Sequence, residues 1–304
     1  MNEFDVVIIG GGAAGLSAAI VLLRAQRAVA VVDAGVPRNA PSRAMHGFLS
    51  RDGVAPGELI AAGRREVSRY GGVLIDDTVT DVTPGFRVQL AGGRVVGARK
   101  LLLATGLTDD VPDIPGIRER WGRDVLHCPY CHGYEVRGEP LGVLGGGPHA
   151  ADQALLIRQW SDDVILFANA NPVSDAARAK LAARDIPIVE GSVTRVIVRD
   201  DHVYGLELGD QHVILRTAVF VQPRLLPNSD LLTRLGCRVD EHGWVEYDTA
   251  GQTSVPGVRV AGNAADPKAQ VITAAGQGSA VAIEINAELV GEDVRRALAD
   301  RNAA

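Results

Sequence analysis

Asp5 to Gly35 reads DVVIIGGGAAGLSAAIVLLRAQRAVAVVDAG, and this stretch limits the fold more than any other. Val6–Ile9 is an unbroken apolar, β-branched run, as in a central parallel strand. A helix is expected over about Ala13–Gln26 and a second strand over Ala28–Val32, ending at Asp33. Gly10, Gly12 and Gly15 fill a G-x-G-x-x-G pattern with an acid at the end of the next strand. One glycine makes the turn, one lets backbone approach a pyrophosphate, and one lets helix and strand pack closely. The helix N-terminus offers N–H groups and partial positive charge to phosphates, and Asp33 can accept hydrogen bonds from a ribose. A tight turn without a ligand is the plain alternative; a strand before it and a helix behind it favour the dinucleotide reading.

Val6–Leu23 carries no charge and is long enough to resemble a membrane span. Gly10–Gly12 interrupt it, and neither a basic leader nor a small-residue cleavage site accompanies it. It reads as buried strand, turn and buried helix, so a cytoplasmic protein without a membrane partner is expected.

A second copy of the pattern, PLGVLGGGPHAADQALLIRQWSDDVILFANA, lies mid-chain, with Gly145, Gly147 and Ala150 at the key positions. After its second strand, Val164–Phe167, comes Ala168-Asn169-Ala170-Asn171. Neither an acid for an NADH ribose nor arginines for a 2′-phosphate are there. A retained fold with absent or weak NAD(P)H binding is the expectation.

With 304 residues the chain has room for about two domains. VTDVTPGFRVQLAGGRVVGARKLLLATG alternates apolar and polar residues as a meander does and ends in a buried strand, Lys100–Ala104. A proline-rich joint follows, and the second unit has an alternating region of its own. The closing VPGVRVAGNAADPKAQVITAAGQGSAVAIEINAELV reads as a strand, a turn and a small-residue helix returning to the first unit. The expected class is α/β: two Rossmann-like, three-layer ββα nucleotide-binding domains, the second inserted into the first. The first comprises residues 1–112 and 246–304, the second 113–245. A net charge of −6 gives no support to a nucleic-acid partner. Three cysteines make no disulfide framework and fit a reducing cytosol with one redox or metal motif. Cys237 reads as a small buried hydrophobe.

The chain resembles the low-molecular-weight thioredoxin reductase family of flavoproteins over nearly its full length. The resembling features are the first glycine motif, LLLATG (Leu101–Gly106) before a proline joint, a C-x-x-C ahead of a second glycine motif, and the closing GVRVAGNAADP. The resemblance implies FAD held by the terminal segments, with Gly10, Gly12, Ala13, Ala14, Gly15, Asp33, Asn39, His46, Ala104, Thr105, Gly106, Gly262, Asn263, Gln270 and Val271 as the candidate contacts. It also implies a homodimer. Asn263 stands where the family has an aspartate touching a ribitol hydroxyl; its amide oxygen can accept the same hydrogen bond. VPRNAPSRAMHGFLSRDG (Val36–Gly53) and CPYCHGYE (Cys128–Glu135) are similar to a branch of dithiol oxidases, those that close the disulfides of gliotoxin and holomycin. Thioredoxin reductases have aspartate where this chain has His132, and a basic H-R-R run where it has Ala168–Asn171.

Cys128-Pro-Tyr-Cys131, flanked by His127 and His132, admits several readings. Zinc needs four ligands, and no second C-x-x-C or spaced histidine pair completes a set; no metal is expected. Cys128–His132 also matches C-x-x-C-H haem attachment, for which the flavin motifs leave little reason. C-P-Y-C is glutaredoxin-like, but such a motif belongs near the start of a small thioredoxin-like fold. A redox dithiol remains. Pro129 suits the first position of a helix, with Cys128 at its N-cap. A helix terminus and a cationic histidine both stabilise a thiolate, the attacking species in disulfide exchange. His132 and His127 are candidate proton relays, with polar packing as the alternative. Tyr130 and Tyr134 line a substrate pocket or pack in a core or an interface.

The resulting expectation is an FAD-dependent oxidase of a small-molecule dithiol, working through a Cys128–Cys131 disulfide with O2 as acceptor. Cys128 is attacked, and Cys131 faces the flavin by the resemblance. The alternatives are a reductase of a thioredoxin-like protein, using NADPH or reduced ferredoxin, and a flavin redox sensor without turnover.

Overall fold

The computed structural model describes residues 2–147 and 149–303, so Met1, Pro148 and Ala304 lie outside the described residues. β1 (Asn2–Ile9) leads directly into α1 (Ala13–Arg24) and β2 (Val29–Asp33). Then come α2 (Pro56–Arg69), β3 (Val73–Asp76), the meander strands β4 (Val79–Thr83) and β5 (Arg87–Leu90), and β6 (Val95–Leu103). β1 is parallel to β2 on one side and β6 on the other, pairing Val6 with Val29 and Ile8 with Leu102. Successive side chains of a strand point to opposite faces. Val6 and Ile8 accordingly enter the core beneath α1, and Val7 and Ile9 the core on the other face. Both faces are covered, which is why Val6–Ile9 contains no polar residue.

The chain leaves this sheet along β7 (Leu107–Asp110). α3 (Ile117–Arg120), β8 (Val125–Leu126) and the single-turn α4 (Pro129–His132) follow. A second unit is built from β9 (Leu141–Leu144), α5 (Ala150–Ile157), β10 (Val164–Phe167), α6 (Asp175–Ala182) and β11 (Ile188–Val189). The antiparallel trio β12 (Val193–Arg199), β13 (His202–Leu208) and β14 (Val213–Leu215) precedes β15 (Ala218–Val221). The sheet order is β11-β10-β9-β15-β8, all parallel. β16 (Arg224–Pro227) then runs antiparallel to β7, so the outgoing and returning crossings lie side by side.

The return begins with α7 (Asp230–Arg234). Leu232, Cys237 and Val245 are buried in the core under the first sheet, and Leu231, Leu235 and Val239 pack against it. The polypeptide therefore rejoins the first sheet's core before residue 246, because apolar side chains from Leu231 onward already have partners there. β17 (Val258–Val260) adds to β6, giving the sheet β3-β2-β1-β6-β5-β4 its seventh strand. α8 (Val271–Ala303) crosses α1, burying Ala274, Gly278, Val281, Ala282, Ile285 and Leu289. Small residues permit a close crossing: a Cβ on Gly278 would lie 2.0 Å from the Ala14 carbonyl oxygen. Lys100, buried, is neutralised by Glu288 and Glu292 of α8. The molecule is thus an α/β protein of two Rossmann-like units. No helix among the described residues is long and apolar enough to cross a membrane.

Candidate functional site

The first glycine turn is shaped by contacts at three points. Gly10 has φ +107°, and a Cβ there would stand 2.3 Å from the Ala104 carbonyl oxygen. A Cβ on Gly15 would stand 1.9 Å from the Gly10 carbonyl oxygen, so α1 presses directly on the turn. At Gly12, by contrast, a Cβ would meet nothing within 4 Å. Gly12 is the N-cap of α1, and no side chain caps it. Open space before uncapped first-turn amides, those of Ala13 and Ala14 included, fits a pyrophosphate. Asp33 Oδ1 accepts from the Gly11 N–H at 3.0 Å, which leaves Oδ2 for a ribose hydroxyl.

The other candidate contacts differ in their engagements. The Ala104 N–H donates to the Ile9 carbonyl at 2.8 Å. The Thr105 hydroxyl donates to the Asn228 carbonyl at 3.0 Å, and the Asn228 amide returns a bond to the Thr105 carbonyl at 2.9 Å. Gly106 accepts from the Asn228 N–H. The Ala104–Gly106 turn is thereby tied to the returning crossing. Gly262 has φ +68° and sits against Ala14. Gln270 precedes α8, which starts at Val271, and its carbonyl accepts from the Ala274 N–H at 2.8 Å. The Asn39 carbonyl accepts from the Ser42 N–H at 3.0 Å, closing a turn. The Asn263 amide donates to the carbonyls of Asp266 (2.9 Å) and Ala269 (3.0 Å). This orients its Oδ1 to accept, and Arg38 Nη1 donates to it at 3.2 Å.

Arg38 and its partner Asp109 were not singled out from the sequence, although Arg38 lies inside the quoted Val36–Gly53 stretch. Its Nε and Nη2 donate to the two Asp109 carboxylate oxygens at 2.8 and 2.6 Å. A planar fork on a carboxylate is strong and directional.

Cys128 and Cys131 are joined as a disulfide, their Cα atoms 5.3 Å apart. Cys128 is the N-cap of α4 and Pro129 its first residue, as the proline suggested. The N–H groups of Cys131 and His132 both donate to the Cys128 carbonyl at 3.2 Å. With one turn of helix, little macrodipole acts on the sulfurs. The flanking imidazoles differ from the cationic histidine expected beside a thiolate. Burial pushes His132 below the ordinary imidazole range, with Glu135 pulling up and His46 pushing down. Burial likewise lowers His127; its bond to the Val221 carbonyl, 3.3 Å from Nδ1, and Asp109 oppose this, and Arg38 adds to it. Both are neutral imidazoles at neutral pH, suited to taking protons. If Nδ1 of His127 is the donor, Nε2 is the basic nitrogen.

His46 bridges the units: its Nε2 lies 3.3 Å from Glu135 Oε1 and its Nδ1 3.4 Å from Asp52 Oδ2. Glu135 was likewise not assigned a role from sequence, although it closes the CPYCHGYE stretch. Tyr130 and Tyr134 are exposed beside the disulfide, the first edge-on to Trp160 and the second under the Arg137 guanidinium. Neither belongs to a core.

The second glycine turn folds back on itself. The side-chain amide of Asn169 donates to the Gly145 carbonyl at 3.3 Å, and that of Asn171 donates to the Asn169 carbonyl at 2.9 Å. Asn169 Oδ1 accepts from the Val193 N–H at 3.0 Å. The side chains standing where a ribose would be gripped are occupied with backbone.

A family model described as pyridine nucleotide-disulphide oxidoreductase matches residues 4–278. The thioredoxin reductase sirT of Leptosphaeria maculans is 30% identical over 318 residues, covering 96% of this chain and 96% of that protein. The probable thioredoxin reductase of Arthroderma benhamiae is 36% identical over 178 residues, which are 55% of this chain and only 44% of that protein's length. The crystal structure of HlmI superposes with a TM-score of 0.96 at 52% identity, covering 99% of this chain and 98% of that one.

Proposed function

The chain belongs to the pyridine nucleotide-disulphide oxidoreductase family, thioredoxin reductase-like in fold and flavin-dependent in its redox chemistry, and on that premise we propose that it is an FAD-dependent dithiol oxidase. Its substrate is a small molecule with two thiols, which it joins as a disulfide. The observation that carries this reading is the histidine-flanked Cys128–Cys131 disulfide in a chain whose Asn169 and Asn171 side chains, where a nicotinamide cofactor's ribose would be gripped, are bonded to backbone carbonyls.

His132 takes the proton of one substrate thiol. The thiolate attacks Cys128 Sγ, forming a substrate–Cys128 bond, and Cys131 leaves as a thiolate. The second substrate thiolate attacks the substrate sulfur of that bond, closing the product disulfide and expelling Cys128. Two electrons have then moved from substrate to the cysteine pair, and the two thiol protons have passed to protein bases. The open Gly12 turn, Asp33 and the Gly262–Asn263 segment would hold FAD, which when bound supplies a two-electron relay from the cysteine pair to dioxygen, giving hydrogen peroxide.

An oxygen-electrode trace with a panel of small dithiols, with and without nicotinamide cofactors, tests this. Oxygen uptake driven by a dithiol alone is expected; none with any dithiol, together with rapid flavin bleaching by NADPH, overturns it. The retained Gly145/Gly147/Ala150 turn favours a second reading, a disulfide reductase fed by NADPH or ferredoxin with a thioredoxin-like partner. Anaerobic mixing with NADPH separates the two. A homodimer goes with either reading. Its support is the apolar row Ile272, Ile283, Val290, Val294 and Leu298, exposed along α8.

A further inference from the structure

We propose that Glu135 and His46 are positioning residues for proton transfer at His132, making a proton-handling group assembled from both units. This deepens the dithiol-oxidase reading and rests on it.

Thiol–disulfide exchange needs a proton removed from the attacking thiol before the sulfur is a nucleophile. His132, next to Cys131 in the chain and half-buried, has to accept that proton and then release it. Glu135 follows three residues later, 44% exposed at its side chain, so it borders both the site and solvent. Glu135 Oε1 is 3.3 Å from His46 Nε2, and the imidazole's other nitrogen is 3.4 Å from Asp52 Oδ2. Asp52 is itself held by the Gly47 N–H, which donates to its Oδ1 at 2.9 Å. His46 is therefore gripped from both sides, and it orients the carboxylate that follows His132 by three residues.

The contact joins parts that chain connectivity does not hold together. His46 lies between β2 and α2 of the first unit, whereas Glu135 follows α4. The same loop meets the second unit again where Pro41 packs on Gly122: a Cβ on that glycine would be 2.9 Å from Pro41 Cβ. Two contacts set the loop against the dithiol segment. The charged groups facing His132 are Glu135, which favours its protonated form, and His46, which opposes it when charged. His127 faces a different pair, Arg38 and Asp109. The two histidines beside the disulfide are thus separately controlled, and the first unit's loop acts on His132.

In the transfer a substrate S–H bond breaks, an N–H bond forms on the His132 imidazole, and no electrons change hands. Glu135 stabilises the resulting imidazolium. His46, repelled by it when protonated, favours release of the proton toward solvent through the exposed carboxylate.

The test uses the flavin-loaded protein with labelled histidine. The His132 imidazole is titrated by NMR in the disulfide form, and the pH profile of anaerobic flavin bleaching by a dithiol is recorded beside it. Glu135→Gln should move both the titration and the acid limb to lower pH. His46→Gln should move both to higher pH. Equal values in all three proteins would overturn the proposal, as would shifts of the same sign. Should either variant fail to fold, the unsubstituted protein decides: the His132 titration should depart from a single-site curve, and a single simple curve counts against the coupling. If the His132 titration shifts as stated but no dithiol bleaches the flavin, the oxidase reading fails and the proton group stands.

Discussion

Arg38 holds Asp109 by two hydrogen bonds, 2.8 and 2.6 Å long, across the gap between the loop after β2 and the strand that carries the chain out of the first unit. The third arm of the same guanidinium reaches Asn263 Oδ1. One side chain thereby ties the Gly262–Asn263 segment, the outgoing crossing and the surroundings of His127 together.

Replacing Arg38 by Lys keeps a charge and loses the fork. A hydrogen bond to a charged group contributes about 1.5–3 kcal/mol, and this pair is partly exposed, so a loss of about 1–2 kcal/mol in stability is expected. FAD should also dissociate more readily as Asn263 loses its anchor. Chemical denaturation and flavin fluorescence on dilution measure the two effects; unchanged values in both would show the clamp to be idle.

Cys128→Ser should reduce dithiol-driven oxygen uptake to the uncatalysed background, because the attacked sulfur is gone. The flavin spectrum should stay that of the parent protein. Survival of dithiol consumption in this variant would remove the role given to Cys128.

Burial lowers His132 from the ordinary imidazole value, so it keeps its neutral form to lower pH than an ordinary imidazole does. Dithiol-driven bleaching should hold its rate to correspondingly lower pH and decline only below it. His132→Ala should slow bleaching by about 10²–10⁴-fold. Stability follows the same sign. The unfolded chain binds protons at His127 and His132 before the folded one does, so their contribution is present above about pH 6.5 and is lost as the pH falls through the lowered folded values. Melting temperature against pH checks this; a gain in stability on acidification through that window would contradict it.

Gly278→Ala places a methyl group 2.0 Å from the Ala14 carbonyl oxygen, where α8 crosses α1. Both helices must shift, at a cost of about 1–3 kcal/mol. Because Ala14 lies in the first turn of the helix behind the glycine turn, FAD affinity should fall as well. Thermal melting with and without added FAD separates the two effects.

Much of the fold was legible because it is written in short-range pattern. Val6–Ile9, the glycine turn and Asp33 lie within one strand–helix–strand unit, and local sterics dictate their arrangement. Pro129 placed Cys128 at a helix N-cap for the same reason. The roles of Arg38, Glu135 and Asn228 were not legible: each partners a residue far away in the chain, and none stands in a periodic pattern. Burial of the two histidines was hidden too, since a polar residue beside a cysteine gives no sign of how much solvent the finished fold excludes.

What the sequence determined by itself is the pair of nucleotide-type units and the dithiol between them, since strand, turn and helix follow from side-chain shape at neighbouring positions. The tertiary structure decided which charges face which histidine. His132 answers to Glu135 and His46, and His127 to Arg38 and Asp109. Desolvation and Coulomb forces act through space, so those pairings existed only once the loop after β2 had closed over the second unit.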